Sequence, residues 1–338
     1  MPELRTDPLS GHRTIVAGER SRRPGGEPRC EPPEPIDAEA DPFAEGHEDR
    51  TPPELHAVRP GGGEANGPGW SVRVVPNLYP ALDPPVPGAP EGPAAVEEEQ
   101  APGRGAVDLF LRRAATGAHE VIINGPQPVL SLAQLPREQV LEAVEVWRER
   151  MRAHAQSAYL QLIVNERREA GASLPHTHAQ LYALDFVPAA VARERERASA
   201  YTTRTMGQSL LGDLIAEEVR RGERIIAIDE EAVLIAPFAS RLPFQMMLAP
   251  RRPRARFEDP GSSGAALLHD GLSRLARRLG SSPPLNLWVR TAPRGAEDFC
   301  WRIDIMPRLT HLAGLELSTD LNLNIVAPED AARMLREA

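Results

Sequence analysis

Residues 174–184 read LPHTHAQLYAL, with His176, His178 and Gln180 at every second position of a mostly apolar run. Successive side chains of a β-strand alternate between its faces, so the three polar groups are expected on one face and Thr177, Ala179 and Leu181 on the other. Pro175 and the preceding Gly171, Ala172 and Ser173 mark a bend at the strand's entry. A single histidine in such a run is more often a hydrogen-bonded core residue than a reactive one; three polar groups in register shift that balance. Two chemistries use the row. Metal binding takes histidines at i and i+2 but needs further ligands, whereas covalent catalysis takes one imidazole as nucleophile and uses its neighbours to orient it and hold phosphate oxygens. An imidazole of ordinary pKa, about 6.5, is largely neutral at pH 7 and able to attack phosphorus. Gln180 offers an amide donor without charge. Unlike a third imidazole it cannot protonate a leaving group or assist water, which favours transfer over hydrolysis.

Working outward, YLQLIVNE (159–166) reads as a strand, and REQVLEAVEVWRERMRAHAQ (137–156) as a helix, from apolar residues at Val140, Leu141, Val144, Trp147 and Met151. Further upstream, HEVIINGP (119–126) and WSVRVVPNLYPAL (70–82) are β-like. Residues 24–70 and 83–105, rich in Pro, Gly and acid, read as loops. The second half repeats the plot. A polar helical stretch at 189–222 precedes two or three strands in ERIIAIDEEAVLIAPFASRLPFQMMLAPRR (223–252). A helix near 263–279, strands in LNLWVRTAPR (285–294) and CWRIDIMPRL (300–309), and a closing helix in PEDAARMLREA (328–338) follow. This rhythm indicates an internal duplication of α+β class, two antiparallel sheets each backed by helices, divided into domains 1–190 and 191–338.

The chain has 338 residues, enough for two domains with ample cores. It contains no run of about 18 apolar residues, and MPELRTDPLSGHR at its start has no apolar signal-peptide centre; a cytoplasmic protein without membrane contact is expected. Cys30 and Cys300 lie far apart and suggest neither a thiolate zinc cage nor a disulfide framework. A net charge of −9 argues against nonspecific binding to a nucleic-acid polymer, so an anionic ligand must meet a local cationic pocket. All 39 basic side chains are arginine. The absence of lysine excludes a P-loop lysine, a Schiff base, a pyridoxal-phosphate enzyme and a lysyl-adenylate ligase. Arginine's fixed charge and fork suit phosphate, although its use throughout is equally a matter of genomic composition.

The segment NERREAGASLPHTHAQ (165–180) resembles the active-site strand of galactose-1-phosphate uridylyltransferases, the transferase branch of the histidine-triad superfamily, with its N, GxS, HxHxQ pattern. RTDPLSGHRTIVAGERSRRP (5–24) resembles that family's opening motif. GHEDRTPPE (46–54), VRVVPNLYPAL (72–82), HEVI (119–122), LPREQV (135–140), PFASRLPFQMMLAPRR (237–252) and AGLELSTDLNLNIVAPEDAARMLR (313–336) follow in the family's order. The resemblance implies a tandem histidine-triad fold, usually homodimeric, and a ping-pong transfer between a nucleotide sugar and a sugar 1-phosphate, most simply of UMP. By match, His178 is the nucleophile, Gln180 steadies the covalent nucleotidyl-imidazole, and Ser173 and Asn165 contact phosphates. Arg20 meets the diphosphate, Asn77 lies near the nucleoside, Glu316 reads sugar hydroxyls, and Asn324 is a looser match.

The pattern departs from the family at its metals. Asp41 and Ala44 stand where a CxxC pair is expected and Pro128 where a histidine is, leaving His176 alone of the zinc ligands, so no metal and no cofactor is expected. His176 must then be held by hydrogen bonds. At a second metal position Glu194 remains, but Arg290, Arg302 and Asp304 occupy the histidine positions, and these four side chains are expected to form an ion network. Two further functions fit the same row: a phosphorylase that splits a nucleotide sugar or dinucleoside polyphosphate with inorganic phosphate, and a catalytically silent nucleotide-binding relative.

Overall fold

The computed structural model describes all residues except 23–27, 29, 85–111 and 113, so parts of the expected loops 24–70 and 83–105, and the end of the opening motif, lie outside the described residues. The strands are β1 (Glu3–Thr6), β2 (Arg13–Val16), β3 (His56–Val58), β4 (Val72–Pro76), β5 (Gly117–Ile123), β6 (Tyr159–Glu166) and β7 (His178–Leu184) in the first half. β8 (Ile225–Ile228), β9 (Ala232–Ile235), β10 (Met246–Pro250), β11 (Leu285–Arg290), β12 (Arg302–Pro307) and β13 (Leu321–Asn324) follow. The helices are α1 (Arg137–Ala153), α2 (Ala189–Arg204), α3 (Leu210–Arg221), α4 (Ala265–Leu279), α5 (Gly314–Thr319) and α6 (Pro328–Arg336). The polar stretch 189–222 is thus two helices. Ser209 caps the second by accepting from Gly212 N–H, and Gly222, in the left-handed region at φ 70°, ends it.

The duplication takes the form three strands, helix, two strands. Instead of two sheets, the halves fuse into one ten-stranded sheet of order β3-β4-β5-β7-β6-β11-β12-β10-β9-β8. The seam is an antiparallel pairing of the equivalent strands β6 and β11, in register from Leu285 with Glu166 to Val289 with Leu162. Either half alone would leave that edge with unmet backbone donors and acceptors, and joining the two edges satisfies both. A separate three-stranded sheet sets β2 between β1 and a parallel β13, so the chain's two ends meet.

Alternation on the strands decides what each face of the large sheet does. Leu160, Leu162 and Val164 of β6, Ala179, Leu181 and Ala183 of β7, Leu285, Leu287 and Val289 of β11, and Ile303 and Ile305 of β12 all enter one core, packed under α1 and α4. From α1 this core takes Val140, Val144, Trp147 and Met151, with Leu141 at its margin. Trp147 completes its hydrogen bonding inside by donating to Asn124 Oδ1 at 2.9 Å. The opposite face carries the polar members of the same strands. β5 lies tightly against β7 there: a Cβ on Gly117 would fall 2.0 Å from the carbonyl oxygen of Ala183, so only glycine fits the start of β5.

Candidate active site

The histidine row is not wholly on a strand. Residues 173–176 form a bend and β7 begins at His178, where its pairing with Ile123 of β5 starts. The expectation that His176, His178 and Gln180 share one strand face therefore holds for His178 and Gln180 only. His176 sits in the bend that follows Pro175 and is fully buried. Its Nδ1 lies 2.6 Å from Asp41 Oδ2, and its Nε2 lies 2.8 Å from the carbonyl oxygen of Gly125. Burial by itself would raise the Asp41 pKa, but hydrogen bonds from His176 and from Phe43 N–H outweigh it and hold the carboxyl below its ordinary value. His47 closes the same loop, with Nδ1 2.7 Å from the Asp41 carbonyl oxygen.

Held in this way, the backbone of His176 turns the next ring. His178 Nδ1 lies 2.7 Å from the His176 carbonyl oxygen, so Nδ1 carries the hydrogen that it donates and Nε2 keeps its lone pair. Burial pushes the His178 pKa down, which favours the neutral ring. The side chain is 6% exposed, braced by the Phe43 ring edge-on at 5.2 Å.

Gln180 is oriented by a residue that the sequence reading passed over. His119, on β5, accepts at Nδ1 from Ala81 N–H at 3.2 Å, which leaves its hydrogen on Nε2, 3.0 Å from Gln180 Oε1. Burial lowers the His119 pKa and keeps that ring neutral. Tyr182, stacked on His119 at 4.0 Å, donates its hydroxyl to the same Gln180 oxygen at 3.0 Å. With two donors on its oxygen, Gln180 keeps its NH2 group available as a donor, and no partner takes it among the described residues. The sequence carried a signal for His119: in HEVII it alternates with Val121 and Ile123 on a strand next to β7.

Asn77 meets this cluster, its Nδ2 3.1 Å from His119 Nε2, while its Oδ1 accepts from Tyr79 N–H. Asn165 on β6 follows Val164, the partner of Ala179, and so stands alongside His178 on the neighbouring strand; its Oδ1 accepts from Asn286 Nδ2 at 2.8 Å. The other expected contacts are not drawn together here. Ser173 is exposed in the bend, and Arg20 is exposed in the 3-10 turn Gly18–Arg22, with no contact to the histidine strand among the described residues. Glu316 lies in a short helix, not a strand, and accepts from Ala313 N–H at that helix's own N-terminus. Asn324 is buried and spends its amide on the carbonyls of Ser240 and Leu242 and its oxygen on Val326 N–H, a structural use that leaves nothing for a sugar.

A metal does not fit the residues present. Asp41 bonds directly to His176, Ala44 and Pro128 offer no donor, and no group of three or more His, Cys, Asp or Glu suited to an ion occurs among the described residues. At the second position Glu194 on α2 meets Arg302 Nη2 at 3.0 Å and Arg290 Nε at 3.5 Å, and Arg302 Nε reaches Asp304 at 3.0 Å, so the four expected side chains do form one network. Burial would lower the Arg302 pKa, but Asp304 and Glu194 reverse the shift and keep its charge. Arg302 and Asp304 are the first and third residues of β12, as His178 and Gln180 are of β7. The duplicated fold thus carries reactive groups on one copy and an internal ion network on the other. A cavity of about 650 Å3 lies over that network and one of about 310 Å3 over β6 and β11; His178 lines neither.

Sequence and structure comparisons agree with this architecture. The family model "Galactose-1-phosphate uridyl transferase, N-terminal domain" matches residues 2–188, and a domain of unknown function matches residues 137–337. The chain is 28% identical to ADP-glucose phosphorylase of Arabidopsis thaliana, over 99% of this chain and 93% of that one. It is 27% identical to galactose-1-phosphate uridylyltransferase of Haemophilus influenzae, over 61% of this chain and 60% of that one. The crystal structure of the Arabidopsis ADP-glucose phosphorylase with bound ADP-glucose superposes with a TM-score of 0.76 at 26% identity, over 100% of this chain and 99% of that one. The fold is that of the histidine-triad nucleotidyltransferases. The chain belongs to the galactose-1-phosphate uridylyltransferase family.

Proposed function

We propose that this chain is a nucleotidyltransferase working in two steps through His178. The observation that carries the reading is the bond from His178 Nδ1 to the His176 carbonyl, which leaves a neutral Nε2 as nucleophile beside an amide donor. In the first step Nε2 attacks the α-phosphorus of a nucleotide sugar. An N–P bond forms, the bond from phosphorus to the bridging oxygen breaks, and the sugar 1-phosphate leaves with that oxygen and its electron pair. Gln180, its oxygen occupied by His119 and Tyr182, donates its NH2 to a phosphoryl oxygen as negative charge shifts onto it. His176, fixed by Asp41, positions His178 through its carbonyl. Asn165 and Asn77, which the fold sets beside this row, serve as substrate contacts. In the second step an acceptor's phosphate oxygen attacks the same phosphorus and the imidazole leaves.

UMP passing between hexose 1-phosphates is one version of this chemistry. Similarity over nearly the full chain to ADP-glucose phosphorylase favours a second, in which inorganic phosphate is the acceptor. We take the working assembly to be a homodimer, and light scattering giving twice the monomer mass is the result expected. To test the reading, the protein is incubated with UDP-glucose or ADP-glucose carrying radiolabel in the α-phosphate. Acid-labile label is expected on the wild type and none on His178→Asn, and discharge by galactose 1-phosphate or by inorganic phosphate then names the acceptor, since glucose 1-phosphate only reverses the first step. Absence of label with every donor would leave a nucleotide-binding relative without this chemistry.

A further inference from the structure

Buried arginines in this chain are matched with carboxylates. Arg302 meets Glu194 and Asp304, Arg224 meets Glu218, Arg73 meets Glu54, and half-buried Arg150 meets Glu120. The 310 Å3 cavity is walled by two half-buried arginines without such a match. Its wall includes Asn165, Arg241, Asn286, Trp288, Arg308 and Asn322, and none of its lining residues is acidic. Among the described residues, Arg241's guanidinium has only the Met306 thioether, at 3.2 Å. Arg308 reaches only Asn286 Oδ1, at 3.5 Å, and its Nε is buried without a partner. Trp288 Nε1 is likewise buried and unpartnered. Two guanidinium groups and an indole N–H around one small cavity, met by a long amide contact and a thioether but by no carboxylate among the described residues, carry a desolvation cost that an incoming anion would repay.

The cavity adjoins the histidine strand. Asn165 stands beside His178, and Ile163, also in its wall, is the register partner of Gln180. Its volume suits a phosphate ester better than a whole nucleotide. We infer that this cavity is the subsite for the phosphate of the second substrate, with Arg241 and Arg308 as its cationic clamp. Inorganic phosphate and a sugar 1-phosphate present the same dianion to the clamp. That the bound phosphate then acts as acceptor rests on the transfer reading above; that the cavity binds a phosphate dianion does not. In the transfer, an oxygen of the held dianion forms a bond to the nucleotidyl phosphorus as the P–Nε2 bond breaks. The electron pair returns to the imidazole, and no proton or co-reactant is needed.

Titration calorimetry on the intact protein with inorganic phosphate and, separately, glucose 1-phosphate tests the site directly. Affinity for at least one is expected to fall tenfold or more in both Arg241→Gln and Arg308→Gln. Arg241→Gln guards against misfolding, since that side chain's only partner is a thioether. In the wild type labelled on His178, discharge should show a KM for the acceptor raised at least tenfold by Arg241→Gln, a loss falling on discharge rather than on labelling. Glucose 1-phosphate also discharges the label by reversing the first step, so a response with inorganic phosphate marks phosphate as the acceptor, and a response with glucose 1-phosphate alone marks a sugar 1-phosphate. Unchanged affinity and unchanged discharge in both variants would overturn the assignment. If no label forms on the wild type, the transfer reading fails, and the calorimetry still decides whether the cavity holds phosphate.

Discussion

His178 Nδ1 lies 2.7 Å from the carbonyl oxygen of His176, two residues earlier, so the reactive ring is oriented by backbone and not by a second catalytic side chain. The pH dependence of labelling follows from that geometry and from burial. Burial lowers the His178 pKa, and the neutral ring therefore persists to more acidic pH than a free histidine at about 6.5 would allow. The single-turnover rate of labelling is expected to stay level from pH 8 down to about 6.5 and to fall only below it. A rate that drops tenfold between pH 8 and 7 would place the controlling proton elsewhere.

His119 acts through Gln180, and its removal should cost rate more than stability. In His119→Phe the ring can still stack on Tyr182, but the N–H to Gln180 Oε1 is gone and the amide is free to turn. Labelling is expected to slow by about tenfold, in the range of one lost positioning hydrogen bond. Its pH profile should keep the wild-type shape, because His178 itself is untouched. A thermal melt taken alongside separates this from unfolding.

Asp41 is predicted to matter most for integrity of the loop. Asp41→Ala leaves His176 Nδ1 buried without its acceptor and removes the bond to Phe43 N–H. Leaving a buried donor without its carboxylate acceptor costs on the order of 3 kcal/mol. Urea denaturation should show that loss as a lower midpoint with an unchanged slope, and Asp41→Asn should recover part of it.

Glu166 gives the fold a pH dependence of its own. Burial pushes its carboxyl up to about 7 from 4.5, against a 2.7 Å hydrogen bond from Leu132 N–H that favours the charged form. With the folded pKa above the unfolded one, the native state binds the proton more tightly. This group's contribution is therefore complete below about pH 4.5, declines as pH rises to 7, and is flat above that, by roughly 3 kcal/mol in all. Glu166→Gln keeps an acceptor for Leu132 and removes the titration. The difference between wild-type and variant stabilities is expected to grow in the variant's favour from pH 5 to 7; parallel profiles would contradict it.

Much of the site was legible in residues 174–184 because strand alternation is local: His178 and Gln180 fall on the polar face and Ala179 and Leu181 on the core face as the spacing requires. Asp41 and His119 were not assigned, since the contacts that define them span 135 and 61 residues. Arg241 and Arg308 carried no signal, because in a chain whose only cations are arginines nothing local separates a clamp from a solvated charge. Their distinction is that they wall one cavity together with no carboxylate beside them among the described residues. The sequence by itself determined the strand and helix rhythm, its repetition, the lost metal donors and the candidate for the nucleophile, all of which depend on residue type and short spacing. Tertiary structure alone decided that the repeats share one sheet through β6 and β11, that His176 leaves the strand for Asp41, and that Arg241 and Arg308 gather around a cavity over that seam. Each of those depends on which distant backbone edge or buried charge finds a partner, and chain order does not encode that directly.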